Sequence, residues 1–308
     1  MPASPSISQL STDSPLRGIL LRIGSVVMFG LMWAAMKLAG ERGAIPIEMV
    51  FYRAVFGIPI VLGWLAVGPG LASIRPNRPR AHIWRSMIGL TGITLNFTAL
   101  VMLPLADATT IGFTAPIFAT ILSALLLHEH VGRHRWTAVA IGFVGVMVIT
   151  RPGGSGGLPA LGIAVALLAA LGTSGVTVTL RQLGSTESVG AIVFWFFVAC
   201  GIVGGIGTWL WGSFHDAATM ALLAAGAWAG AAAQLLMTSS LRAAPVSTVA
   251  PFDYLQIIMA IVLGWLIWST APSWSTLAGA TLIAGSGLYT AYREHRLRRD
   301  STAATPPI

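Results

Sequence analysis

Charged side chains are scarce in this sequence of 308 residues. Asp, Glu, Lys and Arg account for 9% of it, hydrophobic residues account for 55%, and the mean hydropathy is +0.80. A soluble domain typically carries about 25% charged residues. The chain therefore has too little polar surface for a water-soluble fold, and we predict an integral membrane protein.

Cysteine is scarce as well, and we expect no secretory signal. The one cysteine, Cys200, lies in an apolar segment, which excludes an internal disulfide. The first residues, MPASPSISQLSTDSPLRG, have neither the basic region nor the cleavage site of a secretory signal. We expect residues 1–17 to form a disordered cytoplasmic tail.

Ten apolar segments follow, joined mostly by short connections, as in an antiparallel helical bundle. They are Gly18–Ala39, Pro46–Val67, His82–Leu103, Ala108–Leu127, Trp136–Ile149, Leu158–Leu180, Val189–Trp211, Ala217–Leu241, Val246–Trp268 and Ser273–Tyr292. With the N-terminal tail inside, 13 of the 18 Lys and Arg residues, Arg85 among them, fall on the cytoplasmic side and 2 fall outside. This asymmetry predicts that both termini are cytoplasmic, and it explains most of the net charge of +8 without nucleic acid.

The ninth segment carries an acid, Asp253, inside an apolar run long enough to cross a bilayer. A carboxylate at that depth needs a partner or a water-filled cavity. The fourth segment is its counterpart, because Thr109 and Thr110 there correspond to Ser247 and Thr248.

The correspondence extends over both halves of the chain. A shift of 138 residues aligns Gly92 with Gly230 and Asn96 with Gln234. Each copy has five segments, an odd number, so the second copy must enter the membrane from the opposite side. We predict an all-α membrane protein of ten transmembrane helices in two inverted five-helix repeats, residues 18–150 and 157–292, followed by a basic cytoplasmic tail, residues 293–308. Inverted repeats with a site near the midplane are typical of secondary transporters.

Polar groups inside apolar segments are the candidates for a substrate pathway. Asn96 and Gln234 either point into a central cavity or form interhelical hydrogen bonds. Pro116 is expected to kink the fourth segment and free a carbonyl group. The expected pathway residues are Trp33, Asn96, Thr110, Thr114, Pro116, Gln234, Thr248, Asp253 and Tyr254.

Charged residues inside the segments are candidates for gates or ion pairs. Asp253 could bind a substrate ammonium, carry a proton or, as we favour, pair with Arg22 or Arg181. Lys37 and Arg181 are equivalent in the two copies; they could anchor their helices or close gates by pairing with acids such as Glu48 or Asp253. We interpret Arg53 as structural, because its equivalent is Phe197.

Two patterns mimic enzyme or metal motifs. GGSGG at Gly153–Gly157 matches the nucleophile pattern GxSxG but lies in a short loop between segments. The run His128–His130 with His134 lacks the second histidine of HExxH, where Gly132 stands. We therefore predict no catalytic residue, no metal and no cofactor.

The sequence resembles EamA-type repeats of the drug/metabolite transporter superfamily. The resemblance lies in FTAPIFATILSALLLHE followed by WTAVAIGFVGVMVI, and in APFDYLQIIMAIVLGWLIW followed by PSWSTLAGATLIAGSGLY. It covers roughly Gly18–Arg293 and is closest to bacterial amino-acid and metabolite exporters, including aromatic-amino-acid exporters. It implies a basket-like bundle with segments 1, 3, 4, 6, 8 and 9 around a cavity. The acid that often ends the fourth and ninth segments is Glu129 in the first copy but Thr270 in the second, a departure from the family pattern.

We expect a secondary transporter of the bacterial inner membrane that exports neutral, aromatic or other apolar, amino acids. The alternatives are uptake of a metabolite such as S-adenosylmethionine and, in another class, an intramembrane hydrolase. The expected partners are a small-molecule substrate and the lipid bilayer but no nucleic acid, and the chain is expected to be a monomer or a homodimer.

Overall fold

Helices make up almost all of the described chain. The structure is a computed structural model that describes residues 15–126, 132–150, 158–183, 186–244 and 246–303, and no strand occurs in these ranges. The helices are α1 (Pro15–Glu41), α2 (Pro46–Val67), α3 (Pro79–Met102), α4 (Leu105–Gly112), α5 (Ala115–Leu126), α6 (Arg133–Thr150), α7 (Ala160–Leu183), α8 (Val189–Trp211), α9 (Ala217–Ala243), α10 (Val246–Val249), α11 (Leu255–Trp268) and α12 (Trp274–Ala303). Short 3₁₀ turns cover Leu71–Ile74 and Ala250–Tyr254. A helix satisfies its backbone hydrogen bonds internally, as a hydrocarbon environment requires.

Several helices are suited to a bilayer. Six stretches are long and apolar enough to cross one: Leu16–Glu41, Pro46–Val67, Leu105–Leu122, Gly190–Trp211, Ala217–Ser240 and Pro251–Trp268. Shorter apolar stretches are Trp136–Thr150 and Ala160–Val176. Only 28% to 50% of the residues in the apolar windows are buried, and Leu20, Ile202 and Trp209 on the outer surface are 60%, 60% and 84% exposed. An outer surface of this kind is suited to lipid rather than to water.

The helices pair in a pattern that is preserved when the two halves are exchanged. The most extensive contacts join α1 to α9, α3 to α7, α2 to α8 and α6 to α12. Exchanging the first segment for the sixth, the third for the eighth and so on converts the α1–α9 pair into the α7–α3 pair and leaves the other two pairs unchanged. The halves are therefore related by an approximate two-fold arrangement.

Equivalent helices run in opposite directions. In the α2–α8 pair, Phe51 contacts Gly204 while Leu65, fourteen residues later, contacts Gly190, fourteen residues earlier. In the α6–α12 pair, Gly142 lies against Ser286 and Ile149 against Gly279. A two-fold axis along the helices would make equivalent helices parallel, so these antiparallel contacts exclude it.

Small residues allow the close approach of these helices. The α3 and α7 backbones come together at Gly92 and Gly172, where a Cβ atom on Gly172 would lie 3.0 Å from the Cα of Gly92. Helices in lipid gain little from hydrophobic association, so close backbone packing is a main source of their attraction.

The fourth and ninth segments are interrupted. Helix α4 ends at Gly112, and α5 begins at Ala115 with Pro116 exposed in its first turn. We expected Pro116 to kink a continuous helix, but the helix breaks before this residue. The reason is that proline fits the first turn of a helix but disrupts its interior. In the second half, the 3₁₀ turn Ala250–Tyr254, which contains Pro251, separates α10 from α11.

The structure describes only part of the two terminal regions that we expected to be cytoplasmic tails. Residues 1–14 of the expected cytoplasmic tail lie outside the described residues. At the other end, α12 continues to Ala303, so helix extends into the region 293–308 that we expected to be a tail.

A glycine-to-alanine pair tests the α2–α8 contact. A Cβ atom at Gly204 would lie 2.8 Å from the backbone nitrogen of Phe51, whereas a Cβ at Gly63 of α2 meets nothing within 4 Å. We expect Gly204→Ala to lower the unfolding temperature in detergent, by a change worth about 1–3 kcal/mol. Gly63→Ala is the matched control and should leave it unchanged or raise it slightly. Equal melting temperatures for the two variants would contradict the packing described.

Candidate substrate pathway

The interrupted segments of the two halves meet each other. The ring of Phe113, at the break between α4 and α5, lies 5.1 Å from the ring of Tyr254, at the end of the 3₁₀ turn, centroid to centroid. The Tyr254 hydroxyl lies against Gly287 of α12, where any side chain would collide with it. The points at which regular helix gives way therefore lie side by side, with aromatic side chains between them.

Arg22 of α1 forms an ion pair with Asp253 of the 3₁₀ turn. Its Nε and Nη2 atoms donate to Oδ1 and Oδ2 of the carboxylate. Two parallel bonds of this kind are the strong geometry for arginine and carboxylate. Arg22 is 9% exposed and the Asp253 side chain is 34% exposed, so the pair joins the bundle interior to an accessible surface. The side chain of Arg181, the other expected partner, lies outside the described residues.

Asn96 and Gln234 are matched in sequence but differ in their surroundings. The Nδ2 atom of Asn96 donates to the carbonyl of Gly92 at 2.8 Å and to Oγ1 of Thr173 in α7 at 3.3 Å. Gln234 is half-buried in α9 and makes no hydrogen bond within the described part of the chain. Asn96 therefore has the interhelical bond that we weighed as its alternative role, whereas the Gln234 amide keeps its donors and acceptor for another group.

The hydroxyl groups of two expected pathway threonines donate to backbone carbonyls of nearby residues. The buried hydroxyl of Thr110 donates to the carbonyl of Ala106, and that of Thr114 donates to the carbonyl of Ile111. Such a hydroxyl can still accept a hydrogen bond from a ligand but has no further proton to donate. Thr248 is half-buried.

Trp33 packs within the bundle rather than on its outer surface. Its ring is half-buried and lies edge-on to Phe97, with centroids 5.5 Å apart. Phe97 is fully buried in the core, whereas Trp228 and Trp265 are exposed on the outside. Of these three tryptophans, Trp33 therefore remains a candidate for the pathway.

Lys37 joins the ends of three helices. Its Nζ donates to the carbonyls of Leu100 and Leu103, which the end of α3 leaves without helical partners. It also lies 3.7 Å from Glu41, whose other oxygen accepts from the indole N–H of Trp268 at 2.8 Å. The ends of α1, α3 and α11 are thereby tied together. The pairing with an acid that we considered for Lys37 is with Glu41, one turn away on the same helix.

Glu48 pairs with a histidine instead of Lys37. Its side chain has 0% exposure and lies 3.0 Å from Nε2 of His215, in the connection between α8 and α9. It also accepts from the backbone N–H groups of Ile45 and Ser213, both at 2.8 Å.

The opposite pair of helices has the same arrangement. Glu187, just before α8, lies 3.2 Å from Nε2 of His82 in α3 and accepts from the backbone N–H groups of Asn77 and Arg78. Burial opposes ionisation of this carboxyl, but the backbone hydrogen bonds from Asn77 and Arg78 and the neighbouring His82 imidazole outweigh it and hold the pKa of Glu187 below its ordinary value. The two halves thus carry crossed glutamate–histidine pairs, which sequence reasoning missed because the partners are 105 and 167 residues apart.

Every carboxylate whose side chain the structure describes is bound to the opposite half of the chain. Asp107, a buried acid that we had not singled out, accepts from the hydroxyl of Thr276 at 2.7 Å. The six cross-half pairs are Glu41–Trp268, Glu48–His215, Asp107–Thr276, Glu187–His82, Asp216–Arg42 and Asp253–Arg22. These carboxylates therefore act as links between the two halves.

Among the described residues, two buried arginines have no such link to a carboxylate. Arg85, which we had counted as a cytoplasmic cation, is 6% exposed inside the bundle, because its side chain folds over the ring of Phe196. Arg53 is 4% exposed and lies over Phe197, its equivalent in the repeat. Removing Arg85 from the count of cytoplasmic cations leaves the charge asymmetry intact.

Of the residues named in the enzyme-like and metal-like patterns, the structure describes Gly132 and His134. The described residues contain no group of three or more metal-ligating side chains. His82 and His215 face glutamates and His134 lies 3.3 Å from the Tyr289 hydroxyl; within the described ranges none of them bonds a serine. Gly153–Gly157, His128 and His130 lie outside the described residues.

These features define a multi-pass membrane protein with two repeated helical halves, an architecture shared by many secondary transporters. The model of the EamA-like transporter family matches residues 16–151 and, a second time, residues 160–291. The chain therefore belongs to the EamA-like transporter family.

Relatives with different named substrates are similar over most of their length. A riboflavin transporter of Rhizobium johnstonii is 29% identical over 92% of this chain and 91% of its own. An S-adenosylmethionine uptake transporter of Rickettsia conorii is 26% identical over 81% and 84%, and the pseudopaline exporter CntI of Pseudomonas aeruginosa is 28% identical over 86% and 93%. A crystal structure with 19% identity superposes with a TM-score of 0.61 over 91% of this chain and 98% of that one, which supports the fold alone.

The Arg22–Asp253 pair yields a stability prediction. Asp253→Asn leaves Arg22 buried without its counter-ion, so we expect a lower unfolding temperature in detergent. The loss should stay below about 3 kcal/mol, because the carboxylate is about a third exposed. The double variant Arg22→Gln/Asp253→Asn should recover part of it. Arg42→Gln, in the exposed Arg42–Asp216 pair, is the control and should change little. Strictly additive losses in the double variant would show that the two side chains do not interact.

Proposed function

We propose that this chain is a secondary transporter of a bacterial inner membrane that exports neutral amino acids with aromatic or other apolar side chains. The observation that carries the proposal is the meeting of the two interrupted segments at Phe113 and Tyr254. Irregular backbone within a membrane is tolerated where it lines a cavity or is buried by protein, and transporters place their substrate sites at such breaks.

The proposed membrane arrangement has ten spans in two inverted repeats with both termini cytoplasmic. The antiparallel contacts of α2 with α8 and of α6 with α12 support the inversion. The excess of Lys and Arg in one set of connections supports the orientation. In an inverted arrangement, rocking of one half against the other opens the site to each side in turn.

The chemistry at the breaks supports an apolar solute with few polar groups. Phe113 and Tyr254 supply aromatic surface at the breaks, and Gln234, further away along the chain in α9, supplies an amide with no partner in the described chain. A site of this composition binds an apolar body strongly and uses a few polar groups for orientation.

The second candidate is uptake of a larger metabolite. It is favoured by the names of the relatives, which include S-adenosylmethionine uptake and riboflavin transporters as well as an exporter. Since uptake and export both occur among them, direction is part of the proposal.

Counterflow in proteoliposomes tests the proposal. Proteoliposomes that contain the purified protein and are loaded with unlabelled phenylalanine should accumulate labelled phenylalanine, tryptophan or leucine from outside. The assay is run with and without a pH gradient. S-adenosylmethionine and riboflavin form the second arm of the panel. Flux of either of these without flux of any amino acid would overturn the amino-acid assignment in favour of the second candidate.

Gln234→Ala tests the role of the free amide. We expect it to reduce counterflow of the transported solute at least about tenfold, since one charge-free hydrogen bond is worth about 0.5–1.5 kcal/mol and an unpaired polar group on the solute adds a further penalty. The unfolding temperature should stay close to that of the parent protein. Thr91→Ala, at an exposed position of α3 bonded only within its helix, is the control. Unchanged flux in Gln234→Ala would remove this residue from the pathway.

A further inference from the structure

Two cations inside the bundle have no anionic partner within the described chain. Arg53 of α2 and Arg85 of α3 are both more than nine-tenths buried. The Nε atom of Arg53 and the Nε and Nη1 atoms of Arg85 have no hydrogen-bond partner. All six described carboxylates are bound elsewhere, to the partners given above. A buried cation without a counter-ion destabilises the folded state, so retaining two of them calls for an acceptor that the described residues do not supply.

The two guanidinium groups are held at one aromatic ring. The Cζ atom of Arg85 lies 4.0 Å from the centroid of Phe196, and the Cζ atom of Arg53 lies 5.8 Å from the same centroid. Arg53 is also 4.7 Å from the centroid of Phe197. A ring face attracts a cation, but it accepts no conventional hydrogen bond from the N–H groups at the edge of the guanidinium plane. The rings thus position the arginines and leave donors for another acceptor.

Glycines provide the space for both side chains. A Cβ atom at Gly89 would lie 2.5 Å from Nη1 of Arg85 and 2.9 Å from the Phe196 ring. At Gly230 of α9, a Cβ atom would lie 3.6 Å from Nε of Arg53. Both glycines therefore border the arginines.

We propose that Arg53 and Arg85 bind a carboxylate group of the transported solute beside the ring of Phe196. This proposal rests on the proposed transport function and names the solute group that the site recognises. The planar fork of an arginine matches the two oxygens of a carboxylate, and two such forks beside one ring can enclose it. An amino acid supplies such a carboxylate.

Thermal unfolding of the full chain in detergent tests the site with defined probes. Sodium 3-phenylpropionate carries a carboxylate on an aromatic body, 3-phenylpropionamide is its neutral counterpart, and sodium phosphate is a free anion. We expect phenylpropionate to raise the unfolding temperature by several degrees at saturating concentration, because it binds the folded state selectively. The amide should have no such effect. Equal shifts from acid and amide, or a shift from phosphate alone, would overturn the carboxylate assignment.

Substitution of the arginines separates binding from structure. Arg53→Met and Arg85→Met remove an unpaired buried charge, so each variant should unfold at the same or a higher temperature than the parent protein without ligand, and each should lose the phenylpropionate shift. Arg53→Lys and Arg85→Lys keep the charge but lose the planar fork of the guanidinium group. We expect these variants to need at least a tenfold higher phenylpropionate concentration for the same shift in unfolding temperature. Arg80→Met, at an exposed arginine, is the matched control and should behave like the parent protein.

Structural arginines would give the opposite pattern. Methionine variants that unfold at lower temperature and still respond to phenylpropionate would overturn the proposal. If a methionine variant does not fold, an unchanged response in the corresponding lysine variant would do the same. A carboxylate-dependent shift without any counterflow would leave the site standing while the transport proposal fails, and counterflow with no carboxylate-dependent shift would do the reverse.

Discussion

A carboxylate inside an apolar helical bundle needs a partner, and in this protein that requirement links the two halves of the chain. Removing a charge from water costs several kcal/mol unless hydrogen bonds or an opposite charge replace the solvent. All six described carboxylates obtain those bonds from the opposite half. The hydrophobic surfaces give little directional information, whereas these contacts fix which helix ends meet and in what register.

This arrangement bears on how the halves could move. The crossed pairs Glu48–His215 and Glu187–His82 join the second helix of one half to the start of the third helix of the other. The cluster of Lys37, Glu41 and Trp268 ties the ends of α1, α3 and α11. Rocking of one half against the other would strain or break contacts of this kind at one face while preserving them at the other. Arg53 and Arg85 differ from all of these groups, because their donors are left for a ligand to satisfy.

Much of the fold could be predicted from sequence, because the signals are local or repeated. Hydropathy located the apolar segments, the matched Thr110 and Thr248 indicated equivalent segments, and Pro116 indicated a distortion of the fourth segment. We expected Pro116 to kink a continuous helix, whereas α4 ends just before it and Pro116 lies in the first turn of α5. The depth of Asp253 in the ninth segment limited its expected partners to Arg22 and Arg181.

The charged interior was harder to predict, because pairing depends on which distant elements meet. Glu187 and His82 are separated by 105 residues and become neighbours only through the packing of α3 against α8. Arg85 lies near a helix start, where arginine commonly reaches water, and only Phe196 and Gly89 reveal why it turns inward. Aligning the first half with the second identifies equivalent positions but not contacts between them.

Inversion of the two halves is the central claim, and equivalent connections test it most directly. The connection between α2 and α3 contains Ala72, and the equivalent connection between α8 and α9 contains Ser213; both residues are exposed. In a Cys200→Ala background, Ala72→Cys and Ser213→Cys can be labelled with a membrane-impermeant maleimide in intact cells and again after lysis. With inverted halves, Ser213→Cys should be labelled in intact cells and Ala72→Cys only after lysis. Labelling of both from the same side of the membrane would contradict it.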